Sequence, residues 1–182
     1  LQTLSILEKG SLVIVPAGLI YNWEKELSQF RPDLSFCTYH AKQRNFKTDC
    51  DVLITSYSLL RIELERFQKI PWKIIVIDEA HVIKNPKSQT AQALYSLEAN
   101  FKLALSGTPI ENSLEDLWSL FNFTNKGFLG PYRFFQENFS KAILAGDREK
   151  QIAFQERIKP FILRRLKSKV EKQLPKRSDK IL

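Results

Sequence analysis

The acidic pair Asp78-Glu79 stands at the end of the apolar run Ile74-Ile75-Val76-Ile77 and leads into Ala80-His81. An apolar run with no polar alternation predicts a strand buried on both faces of a parallel sheet. Open α/β sheets bind their ligands where such strands leave the sheet. Two carboxylates at that point have the pattern of a Walker B segment, in which an Asp holds the Mg²⁺ of a bound nucleoside triphosphate. A water-activating acid beside it makes the site hydrolytic. The simpler alternative is that Asp78 only caps a following helix.

Such a pair needs a rigid sheet to hold it, and the rest of the chain supplies the elements. Short apolar runs recur: Leu12 to Val15, Leu34 to Tyr39, Asp51 to Thr55, the acidic strand itself, and Phe101 to Ser106. Helix-like stretches lie between them. Trp23, Leu27 and Phe30 share one side of the first, Leu59, Leu60, Ile62 and Leu64 follow the third strand, and a polar helix is expected over Ser88 to Leu97. Strands alternating with helices predict an α/β fold, a doubly wound and mostly parallel sheet with helices on both faces. Beyond Gly107 the character changes. Ser113 with Asp116 three residues on predicts a helix start, and Leu117, Trp118, Leu120 and Phe121 give that helix its apolar face. The aromatic-rich segment 121–139 is read as core packing rather than base stacking. Helices near 132–142 and 147–158 complete a C-terminal α-helical extension. The predicted division is a sheet lobe over 1–125, the extension over 126–160 and a basic connector over 161–182.

Composition limits the classes. With 182 residues and 43% apolar content, the chain suits one domain. No apolar stretch of about 18 residues occurs, so no membrane span is expected, and no signal peptide is visible. Cys37 and Cys50 form no disulfide framework and no zinc pattern, and both are read as reduced thiols of an intracellular protein. The net charge of +8 is concentrated: residues 159–182 hold nine Lys/Arg against two Asp/Glu. The high pI therefore belongs to the tail, and net charge alone does not mark the whole surface as nucleic-acid binding. Methionine is absent, which predicts either a segment of something larger or a sequence from which residues have been dropped.

Several runs, in order, carry a resemblance. They are Leu12-Val13-Ile14-Val15-Pro16 with Asn22-Trp23-Glu24-Lys25-Glu26, Ile54-Thr55-Ser56-Tyr57, and Asp78-Glu79-Ala80-His81-Val82-Ile83-Lys84-Asn85. Leu105-Ser106-Gly107-Thr108-Pro109-Ile110-Glu111-Asn112, the segment from Asp116 to Phe123, and Phe161-Ile162-Leu163-Arg164-Arg165-Leu166-Lys167 follow. Together they resemble the first RecA-like lobe of a Swi/Snf-type helicase-like ATPase of helicase superfamily two. The DEAH box alone is shared with many helicases. Lys84-Asn85 after it, the setting of Trp118 and the Leu-Arg-Arg run narrow the likeness.

The resemblance implies ATP and Mg²⁺ as cofactors, with Asp78 holding the ion through water and Glu79 orienting and deprotonating the attacking water. It implies that His81, Ser106, Gly107 and Thr108 couple the nucleotide to the DNA side. For that last segment an ordinary strand-to-helix turn is the alternative. Pro16, Ala17, Gly18, Thr55 and Ser56 would touch the backbone of duplex DNA. Gly18 stands where many relatives carry a hydroxyl residue, so a contact there falls to the backbone. Arg164 and Arg165 either face phosphate or form a solvated linker. Trp23 is read as a core residue and His40 as structural or surface.

No GxxxxGK[ST] run occurs. The resemblance implies that the chain begins just after the phosphate-binding Lys and Thr and ends before a second RecA-like lobe that supplies arginines. It also implies a missing central strand, whose loss would leave its neighbours with unpaired backbone groups. Three functions follow: a DNA-dependent ATPase translocating on duplex DNA and remodelling nucleoprotein, located in nucleoid or nucleus; an inactive DNA- or protein-binding module; and an RNA helicase lobe of the DEAH type.

Overall fold

A computed structural model describes residues 2–40, 46, 48–107 and 113–164. Thr108 and residues 165–182 of the basic connector, Arg165 among them, lie outside them. Five strands form one sheet: β1 (Ser11–Val15), β2 (Phe36–Tyr39), β3 (Val52–Ser56), β4 (Trp72–Ile77) and β5 (Ala99–Ala104). Their order is β2-β3-β1-β4-β5, and every pairing is parallel. The RecA-like α/β sheet is therefore present, wholly parallel rather than mostly so.

All five predicted strands occur, with shifted ends. Leu34 and Ser35 fall outside β2 because Asp51 captures Ser35. Its Oδ2 accepts bonds from Ser35 N (2.9 Å) and Ser35 Oγ (2.7 Å), which hold the Asp51 carboxyl below its ordinary pKa. β1 lies between β3 and β4 and is bonded on both sides, and among the described residues the outer strands are β2 and β5. β5 is the least covered of them, with Asn100 and Phe101 exposed.

Alternation along buried strands sends neighbouring side chains to opposite faces. Leu12, Ile14, Leu53, Ile75 and Ile77 join one core cluster, with residues of α3 (Tyr57–Ile62), α4 (Leu64–Gln68), α5 (Gln89–Tyr95) and α6 (Leu114–Thr124). Val13, Val15, Val52, Ile54, Ile74 and Val76 join the other, with Leu4 of α1 (Gln2–Ser5) and Ile20, Trp23 and Leu27 of α2 (Ile20–Phe30). The helices thus cover both faces, as the unbroken apolar runs required. Phe30 departs from expectation: the buried stripe of α2 stops at Leu27, and Phe30, the last helical residue, is exposed.

The predicted start of α6 is present, with Ser113 Oγ accepting bonds from Glu115 N and Asp116 N at 3.1 Å each. Its Trp118 ring meets Tyr95 and Tyr132 edge-on, and the indole N–H donates to Gly130 O at 3.0 Å. Ser119 is fully buried. It donates its one hydroxyl proton to Ile83 O, so the Tyr95 hydroxyl must be the donor to Ser119 Oγ. One serine thereby joins α5, α6 and the 3-10 turn Ala80–Ile83 that follows the acidic pair.

By compactness the chain divides into Leu1–Gln136 and Glu137–Leu182. The expected helix near 132–142 is α7 (Tyr132–Phe135), a π-helical turn (Gln136–Ser140) and α8 (Lys141–Leu144) in succession. Within the second unit α9 (Arg148–Ile158) is capped by Asp147, whose Oδ1 accepts from Lys150 N at 3.0 Å. Phe139 and Phe154 pack there with ring centres 5.7 Å apart. No helix among the described residues is long and apolar enough to cross a membrane. Cys37 and Cys50 form no disulfide, and burial together with a hydrogen bond to Cys37 pushes the Cys50 pKa up to about 12.

Ser119→Ala is expected to destabilise the fold by about 1–3 kcal/mol, because a buried carbonyl and a buried phenol lose their partner at once. Urea unfolding measures it, and a loss within error of zero contradicts the bridging role. At pH 9 the native Cys50 thiol is expected to react with iodoacetamide on the order of 100-fold more slowly than in urea-unfolded protein, since the thiolate is the nucleophile. Peptide mass spectrometry reads the two rates.

Candidate active site

Parallel strands in register end together. Ile14 pairs with Ile77, Ile77 with Ala104, and Val15 with Ser56. The residues leaving β1, β3, β4 and β5 therefore emerge along one carboxyl edge: Pro16, Ala17 and Gly18, then Ser56, then Asp78 and Glu79, then Ser106 and Gly107.

Backbone bonds extend past the strand ends at the acidic pair. Asp78 N donates to Ile14 O (2.9 Å), Leu105 N to Ile77 O (2.8 Å) and Ala80 N to Leu105 O (2.7 Å). These clamps hold Glu79 between them in a left-handed conformation, φ 53° and ψ 51°, the one non-glycine with positive φ among the described residues. Such a conformation costs roughly 1–3 kcal/mol and persists where its surroundings enforce it. Asp78 is not merely a helix cap. Its Oδ1 accepts from Glu79 N at 2.8 Å, and its Oδ2 accepts from the indole N–H of Trp23 at 2.9 Å. The Tyr57 hydroxyl donates to Asp78 O at 2.6 Å. Burial pushes the Tyr57 pKa well up, and the Asp78 and Glu79 carboxylates push it the same way. His81 Nδ1 lies 3.2 Å from Glu79 Oε2 and donates to it when that nitrogen carries the proton.

A cleft of about 250 Å³ opens beside Asp78, lined also by Thr3, Leu4, Asn22, Trp23, Glu26 and Leu105. A larger hollow, about 380 Å³, lies between residues 84–87 and Glu115, Asp116 and Tyr132, and neither acid of the pair lines it. Volume and chemistry thus point to different places, and the carboxylates decide in favour of the smaller. No cluster of three or more metal-binding side chains occurs among the described residues. A single half-buried carboxylate, with both oxygens already oriented and a lone pair left on each, suits an ion that keeps most of its water. Mg²⁺ is such an ion, since it takes one or two carboxylates and completes its shell with water and phosphate.

The other predicted residues divide. Ser106 and Gly107 are exposed and directly follow Leu105, so they share the edge with the acidic pair. Gly107 has no positive φ, and a Cβ there would meet nothing within 4 Å. The backbone there does not require glycine. Gly18 is likewise unconstrained, so a hydroxyl residue would fit at that position. Ala17 and Gly18 are exposed at the 3-10 turn Ala17–Leu19. Ser56 caps α3, accepting from Leu59 N at 3.3 Å. Thr55 is fully buried and donates to Tyr39 O at 3.0 Å, so its side chain offers DNA no atom in this arrangement. Arg164 is exposed in the second unit.

The sequence reading placed Trp23 in the core and gave Tyr57 no part in the site. Both are buried, yet each sends its one polar hydrogen to Asp78. Parity held the signal: Ile74 and Val76 face α2, and Asp78 continues their alternation toward the same helix. A buried Trp also needs an acceptor for its N–H.

Residues 3–182 match the SNF2-related domain family. The TATA-binding protein-associated factor mot1 of Schizosaccharomyces pombe is 39% identical over 91% of this chain and 9% of its own length. The putative ATP-dependent helicase/translocase YwqA of Bacillus subtilis is 38% identical over 86% of this chain and 18% of its own. The chain thus spans less than a fifth of either relative. The SWI2/SNF2 ATPase core of Sulfolobus solfataricus, solved in complex with double-stranded DNA, superposes with a TM-score of 0.82 at 41% identity, covering 88% of this chain and 34% of that one. With the sheet order, the acidic strand end and this match over nearly the whole chain in agreement, the chain belongs to the SNF2-related domain family.

Proposed function

We propose that these residues form the first lobe of an ATPase that is stimulated by duplex DNA, moves along it and remodels DNA-bound protein. The observation that carries the reading is the clamped acidic pair at the carboxyl edge, in a chain 41% identical to an ATPase core solved on double-stranded DNA. The relatives named for TATA-binding-protein association and for helicase/translocase activity point the same way. The domain would then work wherever the cell keeps its DNA, nucleoid or nucleus.

In this reading Asp78 would hold a hydrated Mg²⁺, and Glu79 would orient the attacking water and accept its proton. When bound, the ion neutralises charge developing on the phosphate oxygens. Glu79 reaches its station because the flanking backbone bonds fix it in the left-handed turn, and a base acts only within hydrogen-bond reach of the proton it takes. His81, bonded to Glu79, and residues 106–108 form the link by which the base senses the neighbouring loop. Pro16, Ala17, Gly18 and Ser56 meet the DNA backbone, Gly18 through its main-chain N–H, while Thr55 holds the strand end beneath. Arg164 and Arg165 add positive charge for phosphate. Residues 1–125 serve as the lobe, 126–160 as the extension and 161–182 as the connector toward a second lobe. With no GxxxxGK[ST] run, the phosphate cradle comes from polypeptide other than these residues. Alone they are expected to turn over no ATP.

In the full-length protein, ATP hydrolysis is expected to rise on adding duplex DNA and not on adding RNA. Stimulation by RNA alone would favour a DEAH-type helicase instead. Glu79→Gln is expected to lower kcat by about 100-fold or more, the scale of a lost general base. Near-normal turnover in that variant would remove Glu79 from the role.

A further inference from the structure

Among the three tryptophans, Trp72 and Trp118 donate their indole N–H to backbone carbonyls, of Phe67 and Gly130. Trp23 alone donates to a carboxylate, Asp78 Oδ2, at 2.9 Å. The other oxygen of that carboxylate is held at 2.8 Å by Glu79 N. Two donors on different oxygens fix rotation about the bond that carries the carboxylate, and each oxygen keeps a lone pair for a further partner. The carbonyl of the same residue accepts from the buried Tyr57 hydroxyl at 2.6 Å, from the opposite face of the sheet. Trp23 and Asp78 also line the same 250 Å³ cleft, so the orienting donor stands at the wall of the space the carboxylate faces.

We infer that Trp23 and Tyr57 are positioning residues, which preset the Asp78 carboxylate for a hydrated Mg²⁺ carried in with nucleotide. The inference rests on the reading of Asp78 given above. Trp23 orients the carboxylate from the α2 side, and Tyr57 fixes its main chain from the α3 side. Both act through the carboxylate rather than as ligands of the ion. Partners of this kind set the orientation of a metal-binding group, and their loss typically lowers metal affinity by about 10–100-fold.

The test uses the full-length protein and a fluorescent, non-hydrolysable ATP analogue, with Kd measured in EDTA and across a Mg²⁺ series. In Trp23→Phe the Mg²⁺ concentration that gives half of the Mg²⁺-dependent tightening is expected to rise about tenfold or more, while the Kd in EDTA stays that of the wild type. Tyr57→Phe, which keeps the ring, is expected to shift the same way by less. Wild-type Mg²⁺ dependence in both variants overturns the inference. A proportional weakening with and without Mg²⁺ also overturns it, because that is the mark of a merely packed side chain. Should Trp23→Phe fail to fold, Tyr57→Phe decides alone, and an unchanged Mg²⁺ midpoint there counts as refutation. If the wild type itself binds the analogue without any help from Mg²⁺, the reading of Asp78 falls as well, so the two failures are told apart.

Discussion

The parallel ladder joining β1, β4 and β5 continues one residue past its strands, and that continuation governs the site. Asp78 N bonds to Ile14 O on one side, while Leu105 bonds to Ile77 O and receives Ala80 N on the other. An antiparallel neighbour would bring a hairpin to this edge, whereas parallel strands all leave it in the same direction. The left-handed turn at Glu79 follows from the same bonds. They fix the residues before and after it, and that geometry is open to a bulky acid only at some energetic cost. A site whose proposed base sits on an enforced turn is set before any ligand arrives.

Packing on the two faces of the sheet then turns a strand end into a shaped cleft. Ile74 and Val76 press against α2, Ile75 and Ile77 against the opposite layer, and Asp78 prolongs the first set. The helix that shields the sheet therefore also delivers the Trp23 N–H to the carboxylate. A buried indole with an orphaned donor would be unfavourable, so core packing and site geometry satisfy one requirement with a single bond. Ser119 does the analogous work one layer away, joining α5 and α6 to the turn that carries His81.

Under the proposed function, membership of the SNF2-related family accounts for a firmly built carboxylate site with no GxxxxGK[ST] run among these residues. The relatives are several times longer than this chain, and the proposed division of labour assigns the cradle and the completing arginines to other polypeptide. What these residues contribute, in that view, is the carboxylate half and the edge along which DNA is met. The exposed hydroxyl and backbone groups beyond β1 and β5 suit that edge, and the buried Thr55 does not.

Much of this was legible without coordinates. Unbroken apolar runs at Leu12 to Val15 and Ile74 to Ile77 demand cover on both faces, and helix-period segments between them demand crossovers, so a parallel α/β sheet follows from side-chain chemistry alone. The Ser113 cap and the acidic pair after β4 were equally local. Three features were decided only by tertiary structure. Strand order depends on long-range pairing, which one sequence does not encode in any local period. The burial of Thr55 and the exposure of Phe30 depend on where neighbouring elements end. The bond from Trp23 to Asp78 spans 55 positions, and a side chain with one apolar body and one polar hydrogen reads from sequence only as core. Which acceptor that hydrogen finds is a matter of how α2 lies across β4, and packing alone determines it.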